Sequence, residues 1–596
     1  MTRRLSALAL VTAIVLPIAF YLPTLGFGFL FDDRPLLIDN PIVQSPRGLG
    51  EIFTTDLDAN ARTSEAPATN YLRPLFIAGA SVLHRLFLDA PLGWHATAIV
   101  LHGLLAGLAF LLLRREGMGA ATALAAALLF ALHPSHVQST AWVSGLQDLL
   151  FGVTALVAFL AYRRSLRWPK ASWAPLALLG GAFALALLAK EPAVGLLLFV
   201  GAEALGWIPA AADDSSTRRP RAELLTLLAV AGVYLAYRWS VLGGLAHPFP
   251  TAPAMPEALA SIPVALLAYA RDLVWPVGLF LLHPARPVAA ALSAPSLGAA
   301  SGLLVLLAAA YGVRRRWPAL ARPLAWMAAW LAPVLALWAV NPEWMVMDRY
   351  LLLPSLGLAW ALALLLPLEA AAWRWRALLW MALAVTLAGL SLAAMRPFAS
   401  EERFWSAAIR ADPASSTAWV EWARLRADAG ELAAAAEALQ RSVELDPRAQ
   451  LPRLRQALLA VRRNDLSTAR AILSGLVERN PGYLPGWRNL VVVQARGGDL
   501  AGADATLAQA LVRFPEDPLL WTQRAILLRQ QGRREEALAA IHRAAALAPQ
   551  DAAMAVREAS LLAELGRTAE AAAAARRGLS LVSSPEIRAE LEKLAR

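Results

Sequence analysis

Residues 5–27, LSALALVTAIVLPIAFYLPTLGF, form an unbroken apolar run, and four residues later comes Phe31-Asp32-Asp33-Arg34. A helix of that length crosses a hydrocarbon core of about 30 Å. The acidic pair therefore emerges where a first membrane span ends, at the head of a long outer loop spanning 27–94. The start, Met1-Thr-Arg-Arg followed by Leu5 to Phe20, resembles a signal sequence. Its apolar part is long and lacks a small-residue cleavage site, so it reads as an uncleaved span.

Working outward, similar runs recur to about Met395 and then stop. Across the 596 residues, 58% are hydrophobic and the mean hydropathy is +0.50, which suits a polytopic membrane protein with a soluble tail. The expected spans are 5–26, 95–113, 118–133, 138–162, 172–189, 192–209, 222–242, 294–313, 319–340, 350–367 and 377–395, about 11 in all. The net charge is +11, but Lys and Arg sit in short clusters between apolar runs. That pattern reads as topology and excludes a nucleic-acid stripe. With no cysteine, disulfides, thiolate metal sites and Cys nucleophiles are excluded.

Cytoplasmic short loops carry excess Lys and Arg, which orients the array. Arg3 and Arg4, then Arg114-Arg115, then Arg163, Arg164, Arg167 and Lys170, then Arg218, Arg219 and Arg221 all fall inside. A simple span at 259–282 would put Arg314-Arg315-Arg316 outside, and it would bury Arg271, Asp272 and Trp275-Pro276. Each charge at mid-depth costs about 2.5–3.5 kcal/mol on insertion scales. This segment is expected to lie along the outer face or to re-enter from it. The run Leu75 to Leu88, broken by His84 and Arg85, is too short to span and reads as a surface helix.

This topology gathers diverse chemistry on the outer face: Asp32-Asp33, Tyr71-Leu-Arg73-Pro74, His133-Pro-Ser-His136, Lys190-Glu191, His283-Pro-Ala-Arg286 and Asp348-Arg349-Tyr350. Cytoplasmic loops carry Arg and little else. Membrane anchors need not be chemically diverse, so the mixture suits a reaction site.

The motifs Phe31-Asp-Asp-Arg, Tyr71-Leu-Arg-Pro-Leu, His133-Pro-Ser-His-Val-Gln, Ala141-Trp-Val-Ser-Gly, Leu188-Ala-Lys-Glu, Leu273-Val-Trp-Pro-Val and Asp348-Arg-Tyr-Leu-Leu-Leu-Pro-Ser-Leu-Gly follow one another in a familiar order. Over residues 24–360 the chain resembles the transmembrane and tetratricopeptide-repeat-containing O-mannosyltransferases and their bacterial relatives, of the GT-C glycosyltransferase superfamily. The resemblance implies a polyprenyl-phosphate sugar donor, an acceptor on the non-cytoplasmic side and inversion at the anomeric carbon. It also implies an acidic general base in the first outer loop, matched by Asp32 with Asp33 beside it. No site is assigned at Leu146-Gln147-Asp148, where the family pattern varies.

An inverting transfer needs one carboxylate to take the acceptor hydroxyl's proton, whereas a retaining one wants a second as nucleophile. Adjacent aspartates point in different directions, so Asp33 is expected to orient Asp32 or to hold a divalent cation with waters. The leaving lipid phosphate needs cations, and Arg73, His133, Lys190 and Arg349 are the candidates. His136, Glu191, Asp348 and Tyr350 are expected to support them. Each has a structural alternative. An acidic pair beside a membrane can be interfacial solvation, and Arg73 can anchor headgroups. His133 and His136 can cap a span end, Lys190 can neutralise Glu191, and Arg349 can pair with Asp348.

From Phe404 the period changes. Pro413, Pro447, Pro481, Pro515 and Pro549 are spaced by 34 residues. Trp419, Trp487 and Trp521 follow six residues on, and Gly430, Gly498, Gly532 and Gly566 seventeen on, with Asn464 filling the gap. Ala435, Ala469, Ala503, Ala537 and Ala571 come five residues later. A helix-turn-helix period of this length with small residues at close-packing points is the tetratricopeptide signature.

The expected fold is thus all-α, a GT-C-type polytopic helix bundle over 1–396 and a tetratricopeptide superhelix of about 5 repeats over 397–596. By the same topology the repeats lie outside the plasma membrane, where their groove would recruit an acceptor protein. Two other readings stand beside a glycosyltransferase: a non-catalytic scaffold whose repeats organise an envelope complex, and a ligase moving a whole lipid-linked oligosaccharide. The ligase reading wants a large polar loop between late spans, and here the long polar loop is the first.

Overall fold

The computed structural model describes residues 2–44, 49–55, 71–167, 173–209, 220–246, 252–281, 283, 285–290, 292–369, 373–549, 551–581 and 585–595. The middle of the first outer loop, 56–70, lies outside these residues, as do Lys170, Arg218 and Arg219. Among the described residues every regular element is helical. The chain forms two compact units, 1–415 and 416–596.

In the first unit, six helices among the described residues are long and apolar enough to cross a bilayer: Arg4–Gly26, Pro91–Arg115, Val143–Ser165, Arg221–Leu242, Ala294–Arg316 and Trp373–Ala399. Two bent pairs raise this to eight, Ala120–Ala131 with Pro134–Ala141 (54°) and Pro342–Leu351 with Pro354–Leu365 (43°). The bends fall at Pro134 and Pro354, where the missing amide and the ring break the hydrogen-bond ladder. The apolar runs at 172–189, 192–209 and 319–340 yield shorter helices, Ala174–Ala189, Gly195–Ala204 and Ala321–Leu331. Pro192 ends the first register and Pro333 the last, each inside a short 3-10 turn. Residues 255–274 form one helix, Met255–Val274, and Pro74–Phe87 another.

The apolar faces of the long helices divide cleanly. Leu8, Val11, Leu304, Val305, Leu378 and Val385 remain exposed, as expected where hydrocarbon takes the place of a protein neighbour. Inside, Trp94, Phe110, Phe159, Trp326 and Trp360 are buried in a continuous core. Arg163 is not a solvated topological charge. It pairs with Glu116 (3.2 Å) and approaches Glu203, while Arg322 binds Glu116 (2.8 Å) and Glu203 (2.8 Å). All four are buried, and the alternating charges compensate one another where a lone ion would be strongly destabilising.

In the second unit, five helix pairs repeat the sequence period, the first being Ser416–Asp428 with Leu432–Leu445 and the last Ala552–Glu564 with Thr568–Leu579. The inter-helix turn demands a left-handed residue. Gly430, Gly498, Gly532 and Gly566 have φ of 75–82°, and Asn464 takes the same role at 60°, an angle glycine adopts freely and asparagine tolerates. The alanines five residues on are buried, where the paired helices meet. The six-residue Pro-to-Trp spacing has a mechanism too: the indole N–H of Trp487 donates to the Pro481 carbonyl (2.9 Å), and that of Trp521 to Pro515 (2.8 Å).

Candidate functional site

After the first span the backbone turns sharply at Phe31, whose φ of 44° is rare for a side chain of its size. Neighbours hold it there. Its N–H donates to Glu401 (3.0 Å), and its ring meets Trp405 edge-on with centroids 5.0 Å apart. The turn sends Asp33 inward and leaves Asp32 half-buried.

Asp33 is fully buried and accepts three hydrogen bonds, from the Leu30 N–H (2.8 Å), the Ser144 N–H (2.7 Å) and the Ser144 hydroxyl (2.6 Å). Burial and the adjoining Asp32 charge push its carboxyl well above the usual carboxylate range, and the three donors oppose that shift. Ser144 can come this close because Gly145 follows it. A Cβ there would lie 2.6 Å from the Ser139 carbonyl oxygen. Both Asp33 oxygens are therefore occupied by protein donors, which leaves little for the divalent cation considered above.

Ser144 continues the network. Its carbonyl accepts from the Gln147 amide (2.8 Å), and the Gln147 oxygen accepts from Arg73. Arg73 also binds Glu191 (3.3 Å) and lies over the Tyr71 ring (4.3 Å). Glu191 accepts a second guanidinium, Arg238, at 3.3 Å. Burial favours the neutral Glu191 acid, but Arg73 and Arg238 hold its carboxyl below the ordinary range.

A second cation pair adjoins this one. Lys190 is ion-paired with Asp148 and sits 4.9 Å from the Tyr350 ring centre. Arg349 approaches the other Asp148 oxygen (3.9 Å) and covers Trp142 at 5.4 Å. Trp142 in turn touches the acidic turn, its N–H directed at the Leu30 carbonyl (3.4 Å) and its ring 6.3 Å from that of Phe31. Burial, reinforced by Arg73 and Arg349, lowers the Lys190 ammonium to about 8 despite Asp148. Asp148, Lys190, Arg349 and Tyr350 line a small cavity closed by Trp330 and Val334. Across the two groups, Arg73, Arg238, Lys190 and Arg349 face the carboxylates of Glu191 and Asp148, four positive charges against two. The surplus suits an anion carrying one or two charges.

The structure thus brings Asp33, Arg73, Lys190, Glu191, Arg349 and Tyr350 into one connected region, with Asp32 next to Asp33 in the chain. His133 is not among its cations. Its Nε2 faces the Leu273 carbonyl (3.1 Å) and its Nδ1 the Ser135 hydroxyl (2.8 Å), so both ring nitrogens are engaged by the protein. His136 packs within the bundle against His102 and Phe130, bonded to Ser355 (2.9 Å). Asp348 does not pair with Arg349 but turns to His283 (2.7 Å), which also faces Asp272 (3.5 Å). Although buried, His283 is held above the usual imidazole range by these two carboxylates. Sequence reasoning passed over Ser144, Gln147, Asp148 and Arg238. Ser144 lies within the Ala141-Trp-Val-Ser-Gly motif, Gln147 and Asp148 fall where the family pattern varies, and Arg238 lies inside an apolar run with no motif of its own.

The tetratricopeptide repeat family model matches residues 454–518 and 522–585. The chain is similar to a protein O-mannosyl-transferase of Drosophila melanogaster, 32% identical over 186 residues, which are 31% of this chain and 21% of that protein. A protein O-mannosyl-transferase of Mus musculus is 32% identical over 178 residues, 30% of this chain and 19% of its own length. The chain thus spans about a fifth of the length of these curated relatives. Among solved structures, a thermophilic TPR protein of Thermus thermophilus aligns over 30% of this chain and 98% of its own, with 22% identity and a TM-score of 0.27.

Proposed function

We propose that this chain is a membrane glycosyltransferase of the GT-C kind, which moves a sugar from a polyprenyl-phosphate donor to a protein acceptor outside the cytoplasm, with inversion. The observation that carries this reading is the continuous connection from Asp33 through Ser144 and Gln147 to Arg73 and its neighbouring cations. It sets a carboxylate pair beside an excess of positive charge. The similarity to protein O-mannosyl-transferases supports the same class.

In this reaction the acceptor oxygen bonds to the anomeric carbon while that carbon's bond to the phosphate oxygen breaks. Asp32 takes the acceptor's proton, and the lipid phosphate departs as an anion beside Arg73, Lys190 and Arg349. Asp33, its two oxygens engaged by Leu30 and Ser144, fixes the turn and leaves Asp32 as the carboxylate that meets the acceptor. The first unit, including all of 1–396, does the chemistry; the repeats bind the acceptor protein and raise its local concentration by tethering. The orientation has the N-terminus inside and the repeats outside the plasma membrane.

Purified protein supplied with polyprenyl-phosphate sugars and extracytoplasmic acceptor proteins should transfer sugar. Asp32→Asn should slow transfer about 100- to 10,000-fold, the contribution typical of a general base. Undiminished transfer in that variant removes Asp32 as the base, and a full cellular phenotype in it favours the scaffold reading.

A further inference from the structure

Three residues from separate elements meet outside the cation region: Asp272 near the end of helix Met255–Val274, His283 in the segment that follows, and Asp348 in the turn Asp348–Leu351. One candidate ligand atom from each lies within 4.8 Å of the others, and all three residues are buried. Asp272 Oδ1 is taken by Arg271 (2.6 Å), but Oδ2 is buried and accepts no hydrogen bond. It stands 3.5 Å from His283 Nδ1. A desolvated carboxylate oxygen without a hydrogen bond is costly, and a directly coordinated metal ion would satisfy it.

We propose that Asp272, His283 and Asp348 form a binding site for a divalent first-row ion, zinc or manganese. One imidazole nitrogen and two carboxylate oxygens are a donor set these ions accept, with the remaining positions left to water. Two carboxylates and a neutral imidazole offset a charge of +2, and Arg271 on Asp272 Oδ1 adds one positive charge beside them. The surroundings already fix the ligands. Arg286 donates to the His283 carbonyl (2.8 Å), the Leu273 carbonyl is held by His133 (3.1 Å), and the Met347 N–H points at Tyr269 Oη (3.3 Å). Such outer contacts are what orient metal ligands. The site would tie the end of helix Met255–Val274 to the turn that carries Arg349 and Tyr350. Binding of the ion is independent of whether the chain transfers sugar.

The full chain, purified in detergent and stripped with chelator, is titrated with Mn2+ followed by paramagnetic resonance and, separately, with Zn2+ followed by metal analysis after desalting. The parent should hold one ion per chain, and Asp272→Asn and His283→Ala should each weaken binding about tenfold or more. Asp272→Asn keeps shape and size, so it decides the matter if His283→Ala does not fold. A parent that binds neither ion overturns the proposal. So does binding that survives Asp272→Asn but is lost in Asp32→Asn, which would assign the ion to the acidic pair instead.

Discussion

Lys190 shows what burial does to a single group. Its ammonium is lowered to about 8 by desolvation and by Arg73 and Arg349, while Asp148 pulls the other way and Tyr350 covers it. Below that pH it is charged and can bind a lipid phosphate; above it the charge is lost. The Michaelis constant for the lipid donor should therefore rise as pH passes about 8, and Lys190→Arg should remove the rise, because a guanidinium does not titrate there. Donor titrations of parent and variant from about pH 7 to about pH 10 measure this, and an identical alkaline limb in both would contradict it. Single residues were partly legible in advance. Lys190 and Arg349 stand in the outer-face motifs, but their shared partner Asp148 is set aside because the family pattern varies at Leu146-Gln147-Asp148. His133 misled for a related reason: a histidine beside a span end looks available until the Leu273 carbonyl is placed against it.

Elements were more legible than residues where a period enforced them. The repeat unit follows from spacing alone, since each left-handed turn, each buried alanine and each Trp-to-Pro-carbonyl hydrogen bond is fixed by its place in the period. Gly498→Ala should lower the stability of the repeat unit by about 1–2 kcal/mol through left-handed strain, while Asn464→Gly, at the equivalent turn, should leave it unchanged within about 1 kcal/mol. Denaturant unfolding of the full chain followed by Trp fluorescence reports both. In the membrane unit hydropathy marked where apolar runs lie but not where helices break. Pro134, Pro192, Pro333 and Pro354 set the breaks, and the run at 319–340 is divided among Ala321–Leu331 and two short turns. Arg163 illustrates the same limit, because a positive charge at a span end reads as an anchor until Glu116 and Glu203 are found beside it.

For the whole molecule the absence of cysteine is an experimental advantage, since any thiol introduced is the only one present. Arg164, Leu245 and Arg410 are all exposed. Under the proposed orientation, Leu245→Cys and Arg410→Cys should react with a membrane-impermeant maleimide in intact spheroplasts, and Arg164→Cys only after permeabilisation. Labelling of Arg164→Cys from outside, or protection of Leu245→Cys, would break the argument that the acidic turn and the cations share one face.

The hydrogen-bonded path from Asp33 through Ser144 and Gln147 to Arg73 also fixes how errors combine. In a transferase with separate donor and acceptor machinery, damage to each half multiplies independently. Here Ser144 and Gln147 are successive members of one chain, so once it is cut a second cut has less to remove. Ser144→Ala and Gln147→Leu together should cost less than the sum of their separate losses in kcat/KM, with a coupling energy of about 0.5–3 kcal/mol in a double-mutant cycle. Strict additivity would mean that the two carboxylates and the four cations are neighbours without being partners.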